Sequence, residues 1–199
     1  MDLSPQHSAG PQDLKTFNYL LVASQILGAA AIVLSAVWTD KFLGGLGWYS
    51  SQDQQFNYHP LFMVLGMVLF YGESILVYRV LRKEPKFRLK LVHAVLHGVA
   101  LVLTLVGLIA VFLSKQGRYT HLYSLHSWLG LGTCIAFFLQ CTSFTRIVQY
   151  VISFLIFMFP GASPRRREKF LALHTFFGLL LFAFAVGSCI VGINEKVSL

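Results

Sequence analysis

Long apolar runs, separated by short polar stretches, set the pattern of this chain. A helix needs about 20 apolar residues to cross the hydrocarbon core of a bilayer. Five stretches qualify: residues 17–39, 57–79, 91–113, 122–145 and 170–193. Lipid offers the backbone no hydrogen-bond partners, so these runs are expected as helices. The expected fold class is an all-α membrane protein, a transmembrane helical bundle with about five spans. Residues 1–16 read as a polar N-terminal tail and residues 17–196 as one transmembrane domain, without solenoid repeats or low-complexity segments. No basic n-region or small-residue cleavage site precedes the first run, which therefore reads as a retained anchor helix. The stretch 141–159 does not fit the pattern. A helix from His126 to Pro160 would be about 50 Å long, and Arg146 would fall about 30 Å from His126. An extended helix, an interfacial segment and a kinked continuation all fit Ile147–Phe159.

Composition agrees with lipid as the solvent. Of 199 residues, 56% are hydrophobic and 12% charged, against about a quarter charged in soluble domains. The formal charge of +8 comes from clusters between the apolar runs, which reads as a topology signal and gives no reason to expect a nucleic-acid partner. Arg79, Arg82, Lys83, Lys86, Arg88 and Lys90 follow the second run, and Arg165, Arg166, Arg167 and Lys169 precede the fifth. The loop after the first run has only Lys41, and that after the third only Lys115 and Arg118. The positive-inside bias puts the second and fourth loops in the cytoplasm, with the N-terminus inside and Glu195–Leu199 outside. Cys134, Cys141 and Cys189 lie inside apolar runs, with neither a disulfide framework nor metal spacing, and read as small core residues.

Ionisable side chains in a bilayer are costly and mark functional sites. Of the seven histidines, His7 is in the tail and His121 in an outer loop. Counting from the loops, His59 and His126 open their helices on the outer side. His93, three residues after Lys90, and His174, five after Lys169, lie at the inner side. The four sort into two depth-matched pairs, roughly 20 Å apart along the normal. A haem iron with two axial imidazoles needs such a pair, from two helices at one depth, in an apolar pocket. Gly66, Gly98, Gly107, Gly130, Gly132 and Gly178 would let a flat macrocycle approach the backbone, or else serve close helix packing. A metal-ion or proton pathway is the alternative use of imidazoles, though no histidine lies at the midplane. His97, one turn beyond His93 on the same face, is open to two readings: a ligand in place of His93, or a hydrogen-bonding and packing residue. Glu73, about 9 Å from Arg79 along the axis, either carries a proton or turns to the inner surface or a basic partner.

The motifs around these residues resemble the cytochrome b561 family. They are Phe56-Asn57-Tyr58-His59-Pro60-Leu61, Val77-Tyr78-Arg79-Val80, Lys90-Leu91-Val92-His93-Ala94-Val95-Leu96-His97, Leu122-Tyr123-Ser124-Leu125-His126-Ser127-Trp128, Phe159-Pro160-Gly161-Ala162, and His174 with Phe176-Phe177-Gly178. The likeness covers about residues 18–196 and is nearest to the animal chromaffin-granule and lysosomal branches; Gly192-Ile193-Asn194-Glu195-Lys196 resembles the lysosomal ending. It implies that four of the spans form a core holding two haem b, the non-cytoplasmic one by His59 and His126 and the cytoplasmic one by His93 and His174. It implies an ascorbate-dependent oxidoreductase that passes electrons from cytosolic ascorbate to monodehydroascorbate or ferric iron across a secretory-vesicle, lysosomal, late endosomal or plasma membrane. Lys90 would help hold the ascorbate anion, with Lys86, Arg88 and Lys169 as further candidates. Homodimer formation is left open. Three features depart from the family: five helices where six are usual, an apparent insertion at Cys141–Gln149, and Lys115 near the place of an outer-loop histidine, for which His121 is a substitute candidate. A truncated, haem-poor partner or regulator of a full-length protein, and a metal or proton transporter, are the rival readings.

Overall fold

The computed structural model describes residues 11–117, 121–142 and 164–198, and every regular element within them is helical. Helix α1 (Pro11–Val37) continues through a π-helical turn, Trp38–Phe42. Helix α2 runs Gln52–Val80, α3 Lys86–Ser114, α4 Leu125–Thr142 and α5 Pro164–Ser198. The apolar stretches Leu14–Phe42, Gln52–Val80, Lys86–Ser114 and Leu171–Ser198 are each long enough to cross a membrane, and α4 is a shorter apolar helix. The expected tail is helical from Pro11 onward, and residues 1–10 lie outside the described residues. Of the atypical stretch 141–159, Cys141 and Thr142 close α4, while 143–159 lie outside the described residues.

The helices exceed the lipid-sized runs because capping and turn chemistry, rather than hydropathy, set their ends. Helix α2 starts at Gln52, five residues before its apolar run, because Ser51 caps it by accepting from the Gln54 amide at 3.1 Å. The loop before it turns at Gly44 and Gly45, both at φ +81°, a conformation that glycine adopts without steric cost. Buried Asn57 ties that loop to α2 by donating to the carbonyls of Leu43 (2.9 Å) and Gly45 (2.7 Å). Gln52 reaches across to the Gln116 carbonyl at 2.9 Å, so the loops after α1 and α3 share one end of the bundle. The turn between α2 and α3 lies at the other.

Met63, Met67 and Tyr71 of α2, Ala100 of α3, Cys134 and Phe137 of α4, and Leu181 and Ala185 of α5 form the core. Helix α1 adds nothing to it. Its apolar window has no buried residue, and Leu20, Ile26, Leu27 and Leu34 are exposed, as lipid-facing side chains must be. Helix α2 packs most closely on α3, and α4 on α5. The first packing centres on Gly66, within the π-helical stretch Val64–Phe70. A Cβ there would stand 2.9 Å from the Ala100 carbonyl oxygen and 3.2 Å from Leu103 Cβ and Thr104 Oγ1. Backbone cannot yield to it, so Gly66→Ala is expected to lower the thermal midpoint in detergent, by a destabilisation of about 1–3 kcal/mol. Gly98→Ala, with open space at its Cβ, is the control expected to show no loss.

Candidate functional site

The structure brings the four spaced histidines together in pairs, one at each end of the bundle. The rings of His59 (α2) and His126 (α4) have centroids 6.0 Å apart and planes at 76°. Those of His93 (α3) and His174 (α5) are 5.9 Å apart at 70°. Each pair joins helices that are not each other's main packing partners, which leaves room between the facing rings. The pairs are well separated: Ser74, bonded to His93, lies fifteen residues beyond His59 on α2 (59 to 74), about 22 Å of helix rise.

The ring nitrogens decide what these pairs can hold. His59 Nδ1 donates to the Gly107 carbonyl (3.2 Å), and His126 Nδ1 to the Ser188 carbonyl (2.9 Å). His93 Nδ1 donates to the carbonyl of Ser74 (2.9 Å), whose hydroxyl lies at 2.9 Å from the same nitrogen and itself donates to the His93 carbonyl (3.0 Å). A carbonyl can only accept, so each Nδ1 carries the proton and each Nε2 keeps its lone pair. Metal-binding histidines are held in the same way. Two imidazoles on opposite sides of one iron, with bonds of roughly 2 Å and roughly 1 Å more to each ring centre, put the centroids roughly 6 Å apart. Both pairs have that spacing. By spacing both pairs fit a haem, and three of the four rings also hold the tautomer it would need.

The two ends differ in enclosure. His59 and His126 line a cavity of about 530 Å3, walled by Met63, Met67, Leu108 and Ala185 and rimmed by Lys115, His121, Glu195 and Lys196. That volume falls in the ordinary range for a bound organic group. Lys115 Nζ sits 5.1 Å from the Tyr123 ring centre and Lys196 Nζ 5.0 Å from that of Phe56, while His121 packs on Phe112 at 5.4 Å. At the opposite end His174 lies on an exposed stretch of α5 and His93 is half-buried. Between the ends, Tyr71 contacts Phe137 (5.0 Å), Phe182 (5.7 Å) and His97 (4.7 Å). His97 packs edge-on against His93 at 4.6 Å, and its buried Nδ1 has no partner among the described residues.

The remaining candidates fall out as follows. Lys86, Arg88 and Lys90 occupy the first five residues of α3, at the His93 end. Arg88 pairs with Glu84 at 3.1 Å. Lys169 stands five positions before His174 on α5, and its side chain lies outside the described residues. Among the described residues Glu73 forms no ion pair; it accepts from Gln25 Nε2 of α1 at 2.6 Å, because α1 covers the flank of α2 on which it stands. The glycines divide. Gly66 and Gly107 abut neighbouring helices, Gly130 lies by Ser188 and His126, Gly178 by Gln140, and Gly98 and Gly132 face open space.

Sequence reasoning missed Ser74, Ser188, Gln140 and Gly192, the residues around the rings. Gly192 is the tightest: a Cβ there would stand 2.6 Å from His126 Cε1 and 2.7 Å from Nδ1. The signal available was the small pair Ser188 and Gly192, four apart on one face of α5, a pattern that admits close approach by another helix. Among the described residues no three His, Cys, Asp or Glu side chains converge as a metal-ion site, and the cysteines are free thiols.

Comparison with known proteins supplies the family. Residues 58–199 match the family model for eukaryotic cytochrome b561. The chain is 41% identical over 180 residues to the transmembrane ascorbate-dependent reductase CYB561 of Mus musculus, covering 90% of this chain and 68% of that protein. It is 39% identical over 196 residues to a putative CYB561 homologue of Caenorhabditis elegans, covering 94% and 70%. It is 42% identical over 174 residues to the lysosomal membrane ascorbate-dependent ferrireductase CYB561A3 of Homo sapiens, covering 86% and 68%. With a helical membrane bundle and two facing histidine pairs, this chain belongs to the eukaryotic cytochrome b561 family.

Proposed function

We propose that the protein carries electrons across its membrane, from ascorbate at the His93 end to monodehydroascorbate or ferric iron at the His59 end, through two b-type haems. The observation that carries this reading is the repeated geometry: two pairs of imidazoles about 6 Å apart, with three of the four Nδ1 protons held by backbone carbonyls. The names of the relatives as ascorbate-dependent reductase and ferrireductase supply the donor and one acceptor.

Haem bound at each pair supplies a one-electron ferric/ferrous couple. His59 and His126 at one end, and His93 and His174 at the other, are the residues that would hold it. The chain's own groups do the rest. The carbonyls of Gly107, Ser188 and Ser74 fix the tautomer and ring direction, so that little rearrangement accompanies a change of charge. Two imidazoles at each haem would favour electron transfer over oxygen binding. The aromatic contacts of Tyr71, Phe137 and Phe182 fill the middle of the bundle. Three cations in the first turns of α3 oppose its macrodipole, which is unfavourable for the helix and favourable for an anion such as ascorbate docking there. Lys90 and Lys86 are the proposed contacts, with Arg88 and Lys169 in support. The positive-inside bias puts this end in the cytoplasm.

Proteoliposomes with ascorbate on the His93 face and a ferric chelate on the other test the function. Chelate reduction that needs both protein and ascorbate is expected. Ion flux without any reductant, and no chelate reduction, would favour the transporter reading. The ligand assignment has its own test in reduced-minus-oxidised spectra. His126→Ala is expected to remove only the His59-end haem signal, and His174→Ala only the other. Gly192→Ala pushes a methyl into the His126 ring and is expected to weaken or abolish the same signal as His126→Ala. Gly187→Ala, with open space at its Cβ, is expected to leave both signals intact.

A further inference from the structure

Among the four proposed ligands, His174 is the exception. Where His59, His93 and His126 present Nδ1 to a backbone carbonyl, His174 Nδ1 meets a side chain, the Nε2 of Gln140, at 3.3 Å. The same amide nitrogen donates to the His174 carbonyl at 3.2 Å. Gln140 stands in the last turn of α4, and its Oε1 is buried with no partner among the described residues.

These contacts carry a contradiction that chemistry resolves in one way. An amide nitrogen only donates. If it faces Nδ1, that nitrogen accepts and the ring proton moves to Nε2, where it blocks coordination. The orphaned Oε1 meanwhile costs about 1–3 kcal/mol as a buried unsatisfied acceptor. One arrangement satisfies every group. Nε2–H stays on the His174 carbonyl, and the amide turns to bring Oε1 onto Nδ1–H. Gln140 then grips backbone and ring of the same residue with its two amide atoms. The amide packs against Gly178, where an added Cβ would lie 3.4 Å from its nitrogen. Tyr71 holds this stretch of α5 from the other side, donating to the Gly178 carbonyl at 2.9 Å.

We infer that Gln140 is the positioning residue of the haem at the His93 end: it fixes the His174 tautomer and sets the electron-donating strength of that ligand. The inference rests on the proposed haem ligation. Its consequence is an asymmetry between the two centres. At the His59 end both Nδ1 atoms have a backbone carbonyl as their nearest partner, with the Ser188 hydroxyl a longer contact of His126 at 3.4 Å. At the His93 end His174 meets a side chain where the other three rings meet a carbonyl, so the potential of that haem is open to adjustment through Gln140. A stronger acceptor draws the Nδ1 proton away, makes the imidazole more anionic and favours ferric iron. Loss of the acceptor does the reverse.

The experiment is a spectroelectrochemical titration of the haem-loaded protein in detergent, following both haems in Gln140→Glu and Gln140→Leu. Gln140→Glu keeps size and acceptor while adding charge, and is expected to shift the His93-end midpoint negative. Gln140→Leu is expected to shift it positive, or to lose that haem while keeping the other. The His59-end midpoint is expected to stay put in both. Equal shifts of both haems, or no shift in either variant, would overturn the inference. His174→Ala in parallel separates the two levels: if it removes the His93-end signal while the Gln140 variants shift nothing, only the role of Gln140 fails. If it leaves both signals, the ligand assignment itself fails.

Discussion

An imidazole carried into a bilayer has two nitrogens to satisfy where water is absent, and this requirement organises the bundle. Each buried polar atom without a partner costs on the order of 1–3 kcal/mol. The helices answer by lending backbone carbonyls. Gly107, Ser188 and Ser74 each turn an oxygen toward an Nδ1, and in doing so leave Nε2 as the lone-pair nitrogen. Close approach is needed for that, which accounts for the glycine and serine beside the rings. Gly192 gives His126 its space on α5, and Ser74 both accepts from His93 and returns a hydrogen bond to its carbonyl. The stability of the helix contacts and the orientation of the paired rings are thus one property.

That property divides the bundle into a working core and a peripheral helix. Helices α2 to α5 supply the hydrophobic core and all four paired histidines. Helix α1 rests on the flank of α2, touching it where Gly28 passes Leu69 and where Gln25 donates to Glu73. The two ends of the core are not equivalent. One holds its histidines in a cavity with a mixed polar rim; the other leaves His174 exposed, at the end where the cations of α3 begin. A centre near the surface and beside positive charge is suited to meeting an anionic donor.

The helices and the pairing of the histidines were legible in the sequence because each rests on a one-dimensional quantity. Apolar run length reports bilayer thickness, and position within a run reports depth, so His59 could be matched with His126 and His93 with His174 by counting. The helix ends were less legible. Hydropathy placed the start of α2 at residue 57, although Ser51 and Gln54 spell a capping sequence that starts it at Gln52. The partners of Nδ1 were beyond reach, since a carbonyl contact such as His126 to Ser188 depends on the rotation of two helices about their axes. Glu73 illustrates the same limit: its depth left a proton-carrying role, the inner surface and a basic partner all open, while the lateral placement of α1 gave it Gln25.

All of this turns on whether each pair of rings holds a haem. The most direct measurement is the stoichiometry of non-covalently bound haem b per chain in the purified, full-length protein, by pyridine haemochrome assay against quantified protein. Two haems per chain is the result that two fitted pairs predict. A value of one or none, in protein that is folded and supplied with haem during expression, would contradict it.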